Sequence, residues 1–345
     1  MAVSGFLPGE MGKYAVVITF EKGRKTKMAL IKDRFLGCLV GLAVGDALGT
    51  TVEFSSPGTF EPVTDIVGGG VFGLKPGQWT DDTSMALCLA ESMVRKDGFD
   101  PADQMRRYTN WYHLGYMSST GTCFDIGGAT RAALHRFEAT GDPYSGSVDP
   151  MTAGNGSIMR LAPVAMAYAN RPEEAVMYAE MSSRTTHGAV ESVEACAVLA
   201  PILVAGLRGE DKETMLSPDV CYKWRRQEQP AYSTAIEEII QGSYQHKEPP
   251  EIQGTGYVIR SLEAALWAFH HSNSFEEGAL LAVNLGDDAD TTGAVYGQIA
   301  GAYYGLSGIP SHWREKLAMK ETIDELTEAL WHKVEKDQTL QGEHL

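Results

Sequence analysis

From Asp33 onward the apolar residues of this chain recur mostly at helical spacing, and few stretches alternate apolar with polar as a half-buried strand does. FLGCLVGLAVGDALG (Phe35 to Gly49) is apolar almost all round, with glycines at 37, 41, 45 and 49. Such a helix must be buried, and glycine at four-residue spacing lines one face for close backbone approach. A second ladder, Gly293, Gly297, Gly301 and Gly305, runs through TTGAVYGQIAGAYYGL. Each of these glycines costs about 1 kcal/mol relative to alanine in a helix, so the two ladders together predict two buried helices pressed against one another.

Between them TDDTSMALCLAESMV (Thr80 to Val94) repeats Met85, Cys88, Leu89 and Ser92 on one face, with Thr80 placed to cap the helix start. GGATRAALHRF, MRLAPVAMAYA, EEAVMYAEMSSRTTH, VESVEACAVLAPILVAGL and YVIRSLEAALWAFHH read as further helices. A polar surface helical stretch lies between DKETMLSPD and HKEPPEIQGTG, and REKLAMKETIDELTEALWHKVEK closes the chain as an amphipathic surface helix. Two turn-rich segments, VGGGVFGLKPGQW (Val67 to Trp79) and TGDPYSGSVDPMTAGNGS (Thr140 to Ser157), read as loops. The pattern predicts an all-α fold in one domain over 33–337, a tail at 338–345, and an extension over 1–32. That extension carries one strand-like run, KYAVVITFEKG (Lys13 to Gly23), and leaves through the basic KGRKTK.

Length alone, 345 residues, leaves one large core or two domains open. A formal charge of −16 excludes general binding of nucleic acid, which needs a basic footprint. An anionic substrate would therefore need a locally positive site built from helix ends, a few basic residues or metal. The five cysteines, Cys38, Cys88, Cys123, Cys196 and Cys221, form no CxxC pair and suggest neither a disulfide framework nor a zinc site. The start of the chain lacks the apolar core of a signal peptide and no run approaches a membrane span, so a cytoplasmic protein with no membrane partner is expected.

Chemistry concentrates in two acidic runs, TDDT at Thr80–Thr83 and DDADTT at Asp287–Thr292, each at a predicted helix start. A helix dipole stabilises an acid by roughly 0.3–1 kcal/mol, too little to hold four or five carboxylates together if the runs converge. A divalent cation would hold them. The donors are all oxygen, which favours Mg2+ or Mn2+ over zinc, and four carboxylates, two hydroxyls and waters would fill the shells of a two-metal site. The bland alternative is a pair of capped helix starts on a wet surface, against which the glycine ladder beside Asp290 argues. DADTT partly mimics the D-x-D-x-T of haloacid-type phosphatases, but it lies late in a helical chain. An EF-hand counted from Asp288 would need glutamate where Ile299 stands.

GCLVGLAVGDALGTTVEF, QWTDDTSMAL, FDIGGATRAAL, GNGSIMRLAPVA, THG, GYVIRSLEAALWAF and NLGDDADTTGAVYGQIAGAYYG occur in that order. Together they resemble the ADP-ribosylglycohydrolases from about Arg34 to Leu317. The resemblance implies a compact orthogonal all-α domain with a centre of two Mg2+, Mn2+ being the alternative, that hydrolyses the bond joining ADP-ribose to a protein side chain. Carried over by position, the metal ligands are Thr80, Asp81, Asp82, Asp288, Asp290 and Thr291. Glu53 matches an acid near the substrate, and Asp125 an aspartate near the distal ribose, with Gly127 in the same motif. Asn155, Gly156 and Ser157 match a loop around the diphosphate, where amides ahead of a helix suit an anion. His187, Gly256 and Tyr257 match further substrate-side positions.

On that reading Asp81, Asp82 and Asp288 act chiefly as ligands, and Glu53 and Asp125 are the candidates for protonating the leaving side chain. Asp287 and Gly293 in GDDADTTGA look closer to the arginine-specific and nitrogenase-regulating branch than to the serine-directed one, and an acid suits a guanidinium. The partner implied is an ADP-ribosylated protein. Relatives that protect bacteria from ADP-ribosyltransferase toxins suggest an immunity factor whose N-terminal arm also plugs the toxin. Alternatives are a serine- or O-acetyl-ADP-ribose-directed hydrolase, and a non-enzymatic relative that sequesters a toxin or serves structurally.

Overall fold

In the computed structural model, which describes residues 30–226 and 228–342, the two glycine ladders face each other. Helices α1 (Lys32–Gly49) and α13 (Ala289–Gly308) run antiparallel with backbone against backbone. A Cβ added at Gly41 would lie 2.3 Å from the carbonyl oxygen of Gly297, and one at Gly301 would lie 2.0 Å from that of Gly37. Any side chain here would hold the pair apart, which is why the sequence accepts the helix-propensity cost of glycine at these positions. The expected strand at Lys13–Gly23, and the arm to which it belongs, lie outside the described residues.

The remaining helices wrap this pair. Its near shell holds α2 (Asp81–Arg95), α5 (Ala162–Ala167), α7 (Val190–Leu207), α11 (Val258–His270), α12 (Phe275–Val283) and α15 (Lys320–Gly342). Further out stand α3 (Pro101–Leu114), α4 (Gly128–Thr140) and α6 (Pro172–Thr186). The polar excursion forms α8 (Lys212–Met215), α9 (Pro218–Lys223) and α10 (Thr234–Ile240), three short helices where one stretch was expected, and α14 (Ser311–Arg314) precedes α15. No sheet forms among the described residues; extended segments meet only at isolated bridges, two of which, Ser147 with His187 and Gly154 with Tyr257, border the site.

Helix α7 is long and apolar enough to cross a membrane, but 89% of its residues are buried within the fold. Its all-round apolar surface reflects a core position. Cys38, Cys88, Cys196 and Cys221 are buried free thiols, as small core residues should be, and Cys123 is half-buried. The closing helix starts at Lys320 and not at Arg314: Ser311–Arg314 make a separate turn, and Met319 takes a left-handed φ of 52° that no helix continues through.

Candidate active site

Both ladders end at one pole of the molecule, where Gly49 packs on Ala289. From that pole the chain turns through Glu53 on one side and enters α13 through Asp287 and Asp288 on the other. The two turns are tied to each other: the Phe54 amide donates to the Asp287 carbonyl at 2.6 Å, and the Asp287 amide donates to the Ser55 carbonyl at 2.8 Å.

The TDDT run meets them through Asp46, a fully buried acid inside α1. Its Oδ1 accepts from the Thr80 amide and hydroxyl, both at 2.9 Å, and its Oδ2 accepts from the Thr83 amide at 3.0 Å and hydroxyl at 2.6 Å. The start of α2 is therefore capped by a carboxylate on another helix. The expectation that the Thr80 side chain caps its own helix fails for that reason. Its hydroxyl points instead into the acids, 3.1 Å from Asp82 and 3.0 Å from Asp290. Sequence reasoning passed over Asp46; its signal was a lone charge in the otherwise apolar run from Phe35 to Gly49.

Carboxylate oxygens of Asp46, Asp82 and Asp290 lie within 4.8 Å of one another, and so do those of Glu53, Asp125 and Asp290. Asp290 belongs to both groups. Buried Asp82 Oδ1, Asp290 Oδ1 and Glu53 Oε2 have no hydrogen-bond partner. Burial, then the surrounding carboxylates, pushes Glu53 up to about 10 and Asp125 up to about 7. Burial also raises Asp46 to about 6, against the hydrogen bonds it accepts from Thr83 and Thr80. Asp81, Asp82 and Asp290 are raised well above the ordinary carboxylate range, by burial first and then by Asp125, Asp46 and Glu53 respectively. Asp288 is raised by burial, opposed by the amide of Asn155, whose Nδ2 donates to it at 2.7 Å. Thr291 is buried beside it.

Asn155 thus turns its side chain to Asp288. The amides of Gly156 and Ser157 do not head a helix as expected: the chain makes tight turns, with the Ile158 and Met159 amides both donating to the Asn155 carbonyl, before α5 begins at Ala162. The Ser157 hydroxyl is buried without a partner. Gly156 leaves room for the ring of His187, whose Cε1 would be 2.6 Å from a Cβ there. Burial, with Arg160 adding to it, lowers His187 to about 3, so the ring is neutral. Thr186 Oγ1 accepts from Arg160 at 2.6 Å and lies 2.9 Å from His187 Nδ1. The other ring nitrogen, Nε2, faces the Gly154–Gly156 turn.

Beside the acids opens a hollow of about 730 Å3, bordered by Gly128, Ala129, Met151, Gly154, Gly256 and Tyr257. Gly256 stands 3.5 Å, at its missing Cβ, from Asp288 Oδ2, so the hollow runs up to the carboxylates. Tyr257, 41% exposed, donates its hydroxyl to Glu191 at 2.7 Å; Glu191 is a second residue that sequence reasoning did not single out. Gly127, also exposed, stands at the start of α4. The starts of α4, α7 and α11 border the hollow, and in none does the residue before the helix cap it with its side chain. Their amide ends supply the positive potential that the net charge denies the surface at large.

The ADP-ribosylglycohydrolase family model matches residues 27–339. The chain is 46% identical over 299 residues to the ADP-ribosylarginine hydrolase Tri1 of Pseudomonas putida, covering 87% of this chain and 78% of that one. It is 35% identical to the ADP-ribosyl-(dinitrogen reductase) glycohydrolase of Rhodospirillum rubrum, over 84% of this chain and 92% of that one. A solved structure described as an ADP-ribosylglycohydrolase-related protein complex superposes with a TM-score of 0.77 at 49% identity, covering 88% of this chain and 98% of that one.

Proposed function

The chain belongs to the ADP-ribosylglycohydrolase family, and from that premise we propose that it hydrolyses the N-glycosidic bond between ADP-ribose and an arginine side chain of a modified protein. One observation carries the reading: two acidic turns far apart in sequence meet around buried carboxylate oxygens that have no protein partner. The names of the relatives, which act on ADP-ribosylarginine and on a modified dinitrogen reductase, support the linkage.

The donor set fits hard divalent cations, because every group is oxygen and the strongest charged neighbours of Glu53, Asp82 and Asp290 are other carboxylates. We assign Thr80, Asp81, Asp82, Asp288, Asp290 and Thr291 to hold two Mg2+, with Mn2+ as the alternative. Bound there, such ions supply a water of lowered pKa and a grip on ribose hydroxyls. The chain does the rest. Cleavage develops positive charge at the anomeric carbon, and the buried acids stabilise it. Glu53 and Asp125 lie outside the ion-holding set. Asp125, whose carboxylate lies within 4.8 Å of those of Glu53 and Asp290, is the candidate donor to the leaving nitrogen. The hollow has the size of a small-ligand site. We assign it the ADP portion, with Gly256 and Tyr257 on its wall, Gly127, Asn155, Gly156, Ser157 and His187 as further substrate-side residues, and the starts of α4, α7 and α11 facing the diphosphate.

The test is incubation with ADP-ribosyl-arginine and ADP-ribosyl-serine peptides, with Mg2+ and with EDTA. Release of ADP-ribose from the arginine peptide in Mg2+ only is expected. No release from it, or release indifferent to EDTA, overturns the reading. The biological role we favour is immunity in the cytoplasm against an ADP-ribosyltransferase toxin, with residues 1–30 as the arm that adds a strand to the toxin's cleft. A chain lacking those residues should then hydrolyse normally and fail to retain the toxin.

Acidity and metal are linked through stability. In the metal-free fold Asp125 and Glu53 have proton affinities above those of the unfolded chain. Their contribution is full at acid pH and is lost as pH rises through about 7 for Asp125 and about 10 for Glu53. The thermal midpoint in EDTA should therefore fall from about pH 4.5 to 9, most steeply below about pH 7 where both acids titrate, and the gain on adding Mg2+ should grow over the same range. Equal gains at both ends, measured by scanning fluorimetry, would count against a cation among these acids.

A further inference from the structure

An aromatic group stands at the mouth of the site with no part in the reading above. Phe54 follows Glu53 directly, Phe124 precedes Asp125 directly, and Phe72 bridges their rings edge-on, with centroids 6.3 Å from Phe54 and 5.2 Å from Phe124. Phe54 is 64% exposed, and the other two are half-buried. None of the three borders the 730 Å3 hollow, so they form a separate wall.

Three features speak for a ligand at this wall. Phe54 takes a left-handed φ of 60°, rare for a bulky residue, and Asp125 takes 56°; strain of this kind persists where a clamp requires it. Phe54 is also tied to the ion-holding turn by the paired backbone hydrogen bonds between 54–55 and Asp287, which hold its Cα beside that turn. The third feature is charge. Phe54 and Phe124 each adjoin along the chain an acid of the Glu53, Asp125 and Asp290 group, and the Phe54 backbone is bonded to that of Asp287. Ring faces next to carboxylates are the surroundings a guanidinium takes, stacking flat while its edge donates. A seryl or other neutral leaving group gains neither contact.

We propose that Phe54, Phe72 and Phe124 seat the leaving arginine side chain and set the preference for a guanidinium over a neutral leaving group. The inference rests on the hydrolase reading and names the residues that select its substrate.

The test uses the full-length, Mg2+-loaded protein and the variants Phe54→Ala, Phe54→Trp and Phe54→Ala/Phe72→Leu. Steady-state rates are read on an ADP-ribosyl-arginine peptide, and calorimetry gives the affinity for ADP-ribose, which lacks the leaving group. Phe54→Ala is expected to raise KM for the peptide by about tenfold. The double variant should raise it further, and Phe54→Trp should restore it to within about threefold of wild type. ADP-ribose affinity should stay within about twofold throughout, which also reports that the variants are folded. An unchanged KM in the double variant, an equal loss of ADP-ribose affinity, or no rescue by tryptophan overturns the seat while leaving hydrolysis in place. A wild-type protein that releases nothing from the arginine peptide overturns the hydrolase reading and the seat with it.

Discussion

Replacing Asp290 with alanine should abolish release of ADP-ribose, by more than about a thousandfold, and should leave the metal-free protein more stable than wild type. Asp290 is the only acid common to both carboxylate groups found among the described residues. Its Oδ2 lies 3.0 Å from Thr80 Oγ1 and its Oδ1 has no partner, so its removal strips a donor from the assigned ligand set. The same removal takes out an acid whose ionisation is opposed first by burial and then by Glu53 and Asp82. Function and stability should therefore move in opposite directions, as they do where a site is held together against its own repulsion. Turnover with Mg2+ and the thermal midpoint in EDTA measure the two halves. Near-normal turnover would end the metal assignment, and a lower midpoint in EDTA would mean that the acids are not in conflict.

Gly45→Ala should be the most damaging alanine substitution in the two ladders, costing about 3 kcal/mol or more. Alanine by itself favours a helix by about 1 kcal/mol over glycine. Against that, its Cβ would lie 1.9 Å from the Gly293 carbonyl oxygen and 2.4 Å from the carbonyl carbon. Both are backbone atoms, so no rotamer can yield, and the helices must separate along their whole contact, opening gaps at Gly41 and Gly297. Gly128→Ala is the control. Nothing lies within 4 Å of its missing Cβ, so its stability should stay within about 0.5 kcal/mol of wild type. Urea denaturation of the two variants decides the matter, and a Gly45→Ala protein as stable as wild type would refute backbone contact as the cause of the ladder.

The ladder was legible because glycine repeated inside a helix is costly and has few explanations. The acid runs were legible because like charges so close together ask for a counter-charge. What spacing could not show is that Thr80 and Asp290, 210 positions apart, come into contact; only the expectation of a shared cation suggested it. Asp46 escaped notice because its partners, the Thr80 and Thr83 amides, are set by docking of one helix on another and by nothing local. The same docking defeated the local rule that gave Thr80 its cap. The GNGS turn resisted for a similar reason: its amides read as a helix start, but the Asn155 carbonyl accepts from Ile158 and Met159 in tight turns, and the Asn155 side chain reaches Asp288. Phe54, Phe72 and Phe124 are single aromatics in three separate loops, and no pattern along the chain links them.

Pairing α1 with α13 joins the first described helix to one of the last. On a ribosome adding about 5–20 residues per second, roughly 240 residues must be made between Gly49 and Ala289, which takes on the order of tens of seconds. For that time an oily helix, notched with glycine, waits without the surface it was shaped to meet. Newly made chains should therefore lean on chaperones for their α1 segment, and catalytic competence should arrive late and all at once, when the second acidic turn leaves the exit tunnel.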